Sequence, residues 1–134
     1  MIQQIHRFHG RSSLRYVYQR GRVIRASQWQ LRIALNPNNR TYRLAVVVSR
    51  KVSKSAVVRN RIRRRLYEAV RCHEALITQP FDLVLVVRDE QLAIMNGQQL
   101  IEDVKVILES AGVLDKGPAR ASDVHAIVKA KENN

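Results

Sequence analysis

The segment Ser49–Arg71, SRKVSKSAVVRNRIRRRLYEAVR, holds nine basic residues and one acid, Glu68, in 23 positions, yet an apolar stripe runs through it. At about 100° per residue, Val58, Ile62, Leu66, Ala69, Val70 and His73 fall within an arc of roughly 120°. That is the core-facing side of a helix from about Ser55 to Ile77. Asn60, Arg63, Arg64 and Arg71 fall on the other side, with Arg61 and Arg65 on one flank. Like charges at i,i+4 repel on a bare helix, so the cluster is destabilising unless something anionic neutralises it. The helix N-terminus, fed by a loop bearing Lys51 and Lys54, itself favours anions through its free N–H groups and dipole.

The rest of the chain supplies layers for that stripe to pack on. Ser12 and Ser13 are good N-caps before LRYVYQR, and Gly21 follows as a stop, predicting a short helix over residues 13–20. WQLRIAL alternates Trp29, Leu31, Ile33 and Leu35 against Gln30, Arg32 and Ala34, the period of a half-buried strand. The NPNN turn signal at Asn36–Asn39 joins it to the β-branched, apolar run Tyr42–Ser49, which predicts a hairpin. Pro80 punctuates, and Phe81–Arg88 reads as a buried strand. A loop through Asn96-Gly97 leads to a last helix over about Gln98–Ser110, with Gly112 placed to close it. The order is helix, two or three strands, helix, strand, helix: an α+β fold with one mixed sheet and helices packed largely on one face. With only 5% aromatic residues, the core must come mainly from Val, Ile, Leu and Ala. Residues 1–115 form one small domain. Lys116-Gly117-Pro118 then breaks the pattern, and residues 116–134 read as a tail with at most one turn around Val124–Val128.

Charge narrows the class of partner. The chain carries a formal +13, unevenly placed. Residues 1–72 hold 18 Lys and Arg against one acid, net +17, whereas residues 73–134 hold 6 against 10 acids, net −4. Such an excess implies a polyanionic partner. Arg dominates over Lys, and its planar guanidinium can grip phosphate bidentately and stack on bases. A nearly uniform Arg face suits RNA shape and backbone, while base readout of DNA usually mixes in Asn, Gln and Ser. A ribosomal or RNA-assembly protein would share this charge and is the alternative reading. No apolar run is long enough for a signal peptide or a bilayer span, and the lone Cys72 suits a reducing compartment, so the expected location is cytoplasmic, without membrane.

No catalytic constellation is visible. His6 and His9 lack a third ligand partner, so a solvated or RNA-facing terminus is expected rather than a metal site. His73 is expected to pack, and Cys72 beside it is a neighbour in sequence rather than a catalytic pair. Asp82, Asp89 and Glu90 read as loop or strand-end acids without a paired partner. There is no P-loop, dinucleotide fingerprint or GxSxG. Tyr16 and Tyr18 are candidate stacking platforms, whereas Trp29, alternating with Leu31 and Ile33, reads as core.

The run Val48-Ser49-Arg50-Lys51-Val52 through Arg59-Asn60-Arg61-Ile62-Arg63-Arg64 resembles the signature of the bacterial ribonuclease P protein family. Arg7-Phe8, Tyr16-Val17-Tyr18-Gln19-Arg20-Gly21 and Phe81-Asp82-Leu83-Val84 are similar to its flanking features, and the match spans about residues 7–114. The resemblance implies a protein subunit whose RNA partner, with bound magnesium, cleaves the 5′ leader from precursor tRNA. Lys51, Lys54, Arg59, Asn60, Arg61, Arg63 and Arg64 would then contact the catalytic RNA. Arg7, Tyr18 and Arg32 would face the leader, in a cleft between the first helix and the sheet. It also implies a left-handed βαβ crossover. Where the family usually has a first-helix aromatic and a strand tyrosine, this chain has Leu14 and Arg32.

Overall fold

The structure, a computed structural model, describes His6 and residues 11–115. In chain order it contains α1 (Arg11–Arg20), β1 (Arg22–Arg25), β2 (Trp29–Leu35), β3 (Arg43–Val47), α2 (Ala56–Arg71), β4 (Phe81–Val87) and α3 (Gly97–Ser110). Short 3₁₀ turns at Glu74–Leu76 and Glu90–Ala93 flank β4. The α+β class and single mixed sheet are as the sequence implies. The first helix begins at Arg11, so Ser12 and Ser13 lie inside it rather than capping it. The tail, residues 116–134, is outside the described residues.

The expected hairpin between the two apolar runs does not form. The sheet order is β1-β2-β4-β3, with β4 antiparallel to β2 and parallel to β3. β4 is the reason. Its run FDLVLVV is almost wholly buried, and a strand apolar on both faces belongs in the middle of a sheet. The hairpin that does form is β1 with β2, pairing Arg22 with Ile33 and Arg25 with Gln30. β1 lies at the sheet edge, where short length and terminal arginines discourage strand addition.

α2 and α3 cover one face of the sheet. Trp29, Leu31 and Ile33 of β2, Leu44 and Val46 of β3, and Leu83, Leu85 and Val87 of β4 pack there against Ile62, Leu66, Ala69 and Val70 of α2 and Leu100, Val104, Ile107 and Leu108 of α3. α1 lies on the other face, where Val17 is fully buried among Ala34, Ala45 and Val84, with Leu14 beside them. Two helices therefore share one face and the third takes the opposite one. This also explains the buried Gln30 and Ala34 in a strand expected to be half solvated, while Leu35, at the strand end, is exposed.

The β3–α2–β4 crossover is left-handed. Val46 points its side chain at α2, and its N–H points away from β4, donating to the Tyr67 hydroxyl at 3.4 Å. On the far side the Arg88 N–H donates to the Gln28 carbonyl at 2.8 Å, continuing the β4–β2 ladder. For L-residues on an upward strand, a side chain facing the viewer sends its own N–H to the right. With α2 in front and β3 running upward, β4 thus lies to the left of β3, against the usual hand.

Three local devices hold this arrangement. Asp82, fully buried at the start of β4, receives Arg43 Nε at 2.9 Å and Arg43 Nη2 at 3.0 Å, Asn36 Nδ2 at 3.0 Å and Asn39 Nδ2 at 3.1 Å. The sequence reading of Asp82 as an acid without a partner is overturned: the NPNN turn bends back to satisfy it. Gly21 turns α1 into β1 where any Cβ would strike the carbonyl oxygens of Val17 and Ile33. Past α3, Gly112 adopts φ +74°, the left-handed conformation that closes a helix.

Candidate nucleic-acid interface

α2 starts where Ser55, in extended conformation, accepts the Val58 N–H on its side chain. It ends at Cys72, earlier than expected, and the 3₁₀ turn at Glu74–Leu76 occupies the rest of the predicted span. Cys72 is exposed. His73 packs as expected, with Nε2 donating to the Ile101 carbonyl at 2.9 Å and tying α2 to α3.

The basic side chains of α2 divide into two sets. Asn60, Arg61 and Arg64 are exposed on the face away from the core, with Arg59 and Arg63 half-buried. Arg59 Nη1 donates to the carbonyls of Ser53 and Lys54, at 2.9 and 3.1 Å, and so folds the lysine loop against the first turn. Arg63 donates to Asn60 Oδ1 at 2.5 Å, orienting the asparagine within the cationic surface. Lys51 and Lys54 are exposed at the mouth of the loop. Arg65 behaves differently. It turns toward the 3₁₀ turn at Glu90–Ala93 and donates to the carbonyls of Leu92, at 2.8 Å, and Met95, so it braces the fold. Arg71 pairs with Glu68 on the surface, and the guanidinium holds that carboxyl down at about 2.

The second region lies across the sheet from α2. Arg32, in the middle of β2, points to the α1 side, as its alternation with Trp29 and Leu31 requires. Its guanidinium carbon sits 4.3 Å from the centre of the Tyr18 ring, and its buried Nε has no acceptor among the described residues. Arg25, Gln30, Val86 and Val47 lie opposite one another in successive strands, one row along from Arg32 on the same face. Arg88 joins the row by donating to Gln30 Oε1 at 3.3 Å. Sequence reading missed Arg25, Gln30 and Arg88; the signal was their parity with Arg32 once the sheet order is known. Tyr18 is 42% exposed, and Tyr16 is anchored through its hydroxyl to the Leu35 carbonyl at 3.3 Å. Trp29 is core. Arg7 and His9 lie outside the described residues.

The two regions are joined. β3 runs from Val47, in that row, directly into the loop that carries Lys51 and Lys54 and then into α2. The chain thus passes from the α1 side of the sheet, around the end of β3, into the basic loop and helix on the other side. His6 is part of neither. It stacks on Tyr42 with ring centroids 4.1 Å apart, and its Nδ1 lies 3.1 Å from the Tyr42 carbonyl, so this histidine is packed rather than solvated. The Tyr42 hydroxyl donates to Glu74 at 2.8 Å, and burial together with that acceptor pushes the phenol far above its ordinary range.

The family model described as Ribonuclease P matches residues 2–112 of this chain. The ribonuclease P protein component of Synechocystis sp. is 30% identical over 104 residues, spanning 78% of this chain and 83% of that protein. That of Pseudanabaena sp. is 37% identical over 116 residues, spanning 85% and 97%. Among solved structures, the RNase P protein of Staphylococcus aureus superposes with a TM-score of 0.73 at 24% identity, covering 82% of this chain and 98% of that one. The RNase P protein of Thermotoga maritima gives 0.65 at 21% identity, covering 75% and 94%. The structural likenesses establish the fold, and the family match over residues 2–112 decides the rest: this chain belongs to the ribonuclease P protein family.

Proposed function

We propose that this chain, as the protein subunit of ribonuclease P, grips the catalytic RNA with one face and the 5′ leader of precursor tRNA with the other. The partner that family membership brings is ribonuclease P RNA. What supports the two-sided reading is that Tyr18 and Arg32 lie on one side of the sheet and the arginine-rich α2 on the other, with the lysine loop that follows β3 between β3 and α2. Lys51, Lys54, Arg59, Asn60, Arg61, Arg63 and Arg64 are the RNA-subunit contacts; Tyr18 and Arg32, with Arg7, are the leader contacts. Each neutralised phosphate releases counterions, so contacts of this kind add affinity that falls with salt.

Endonucleolytic chemistry belongs to the ribonucleoprotein, and we assign it to the RNA. Magnesium held by the RNA would supply the metal assistance to that hydrolysis. Among the described residues no group of His, Cys, Asp and Glu could hold a metal ion. The protein side chains position and neutralise: Lys and Arg offset phosphate repulsion where leader and RNA subunit meet, which lowers the magnesium needed to bring them together. The reading places the chain in the cytoplasm; no described helix is long and apolar enough to cross a membrane.

Reconstitution with a bacterial ribonuclease P RNA tests the proposal. Precursor tRNA cleavage at low magnesium should require both components. Cleavage by rigorously RNA-free protein, or no gain over RNA alone, would overturn it.

A further inference from the structure

Gln30 is a buried amide with one end in use. It is 4% exposed on the α1 side of β2, opposite Arg25 of β1 and Val86 of β4. Burying an amide is costly unless its polar atoms are matched, so what each end meets matters. The oxygen is taken: Arg88 Nη2 donates to Oε1 at 3.3 Å. The nitrogen is not. Nε2 has no acceptor among the described residues and, unlike Arg32 Nε, is not sealed from the surface. A guanidinium can only donate, so Arg88 sets which way round the amide sits and leaves Nε2 as the end that reaches the surface. The surroundings favour a base over a phosphate. α1 covers Val84 and Ala45 through Val17, whereas Val86 and Val47, one row on in line with Gln30, are only half-buried. A phosphate gains nothing from two valines and an uncharged amide. A base lays its face on apolar side chains and turns its edge to the donors.

We propose that Gln30, its amide set by Arg88, reads the edge of one unpaired leader base and favours a keto base, guanine or uracil. The inference rests on the reading that the leader lies on this side of the sheet. An adenine edge offers an amino donor beside its N7 acceptor, a pattern that a free glutamine matches with its oxygen and its nitrogen together. Here the oxygen is committed to Arg88. Arg88 is itself exposed, and its side chain has no other partner among the described residues, so it adds N–H donors beside the amide. A site made of donors suits an edge made of acceptors, such as guanine O6 and N7 or the uracil carbonyls. The amino groups of adenine and cytosine meet donors there instead.

The test uses the holoenzyme reconstituted with a bacterial ribonuclease P RNA, and precursor tRNAs whose leader bases are changed one at a time, with mature tRNA as the leaderless reference. One leader position should bind tighter with guanine or uracil than with adenine or cytosine, on the order of fivefold, the fold-change of one hydrogen bond. Gln30→Leu, an apolar side chain at a buried strand position, should level that preference. Arg88→Met, at an exposed position, keeps the amide and frees its oxygen, so adenine should recover there relative to guanine. A merely structural role for Gln30 moves the base preference in neither variant. A leader that adds affinity with no base preference, or with one that both variants retain, would overturn this inference and leave the leader reading standing. Equal binding of precursor and mature tRNA would overturn both.

Discussion

Arg32 lies with its guanidinium carbon 4.3 Å from the centre of the Tyr18 ring and its buried Nε unmatched by any described acceptor. An unsatisfied buried donor costs about 1–3 kcal/mol. A cation over a tyrosine face returns about 0.5–1 kcal/mol, more when desolvated. On the proposed reading, a leader phosphate or base edge would supply the missing acceptor.

Arg32→Tyr should therefore weaken the salt dependence of leader binding. A phosphate neutralised on a single strand contributes a slope of about −0.7 in log K against log[salt]. The difference in slope between precursor and mature tRNA should shrink by roughly that amount, with stacking recovering part of the affinity at high salt. An unchanged difference would remove Arg32 from the leader contacts.

Arg61→Ala and Arg64→Ala should each weaken assembly with the RNA subunit by about 1–3 kcal/mol and leave thermal unfolding unchanged, because both side chains are exposed. Arg59→Ala should weaken assembly and also destabilise the free protein. Its hydrogen bonds to the Ser53 and Lys54 carbonyls hold the lysine loop, so the unfolding midpoint should fall along with affinity. Seen from the sequence, Arg59 and Arg61 look equivalent; RNA titration beside thermal denaturation of the free protein separates them.

Asp82→Ala should destabilise the fold by about 3–5 kcal/mol, the range for removing one partner of a buried ion pair. It removes the buried carboxylate that Arg43 and both asparagines of the turn share. Urea unfolding measures the loss. A change under 1 kcal/mol would mean that the turn re-forms without it.

Tyr42 gives a pH dependence with a definite sign. Its folded-state pKa is raised, by burial first and by the Glu74 acceptor next. The stabilisation is fully present below about pH 10, the ordinary tyrosine value, and is lost as pH rises above it, because only the unfolded chain ionises readily there. Tyr42→Phe should flatten this alkaline loss, at a cost of about 0.5–1.5 kcal/mol near neutrality for the missing hydrogen bond. Stability curves of the two proteins between pH 8 and pH 11 that run parallel would contradict this.

How far did the sequence reach? The α2 stripe from Val58 to Val70 was legible because helix periodicity is local: burial at every third or fourth residue needs no knowledge of what covers it. The strand parity of Trp29, Leu31 and Ile33 against Arg32 was legible for the same reason. Charge, too, adds along the chain regardless of fold, so the basic half announced a polyanionic partner. Strand partners are another matter. Tyr42–Val48 looks like the return arm of a hairpin, and only the doubly buried β4, nearly forty residues later in the sequence, displaces it to an edge. The same pairing sends Asn36, Asn39 and Arg43 to Asp82, which sequence separation hides. It turns Arg65 inward to the Leu92 and Met95 carbonyls while its neighbour Arg64 stays exposed. Period and charge are sums over neighbours in the chain and can be read from it; strand order, ion pairing and the bracing role of one arginine among five depend on distances in space, which only packing sets.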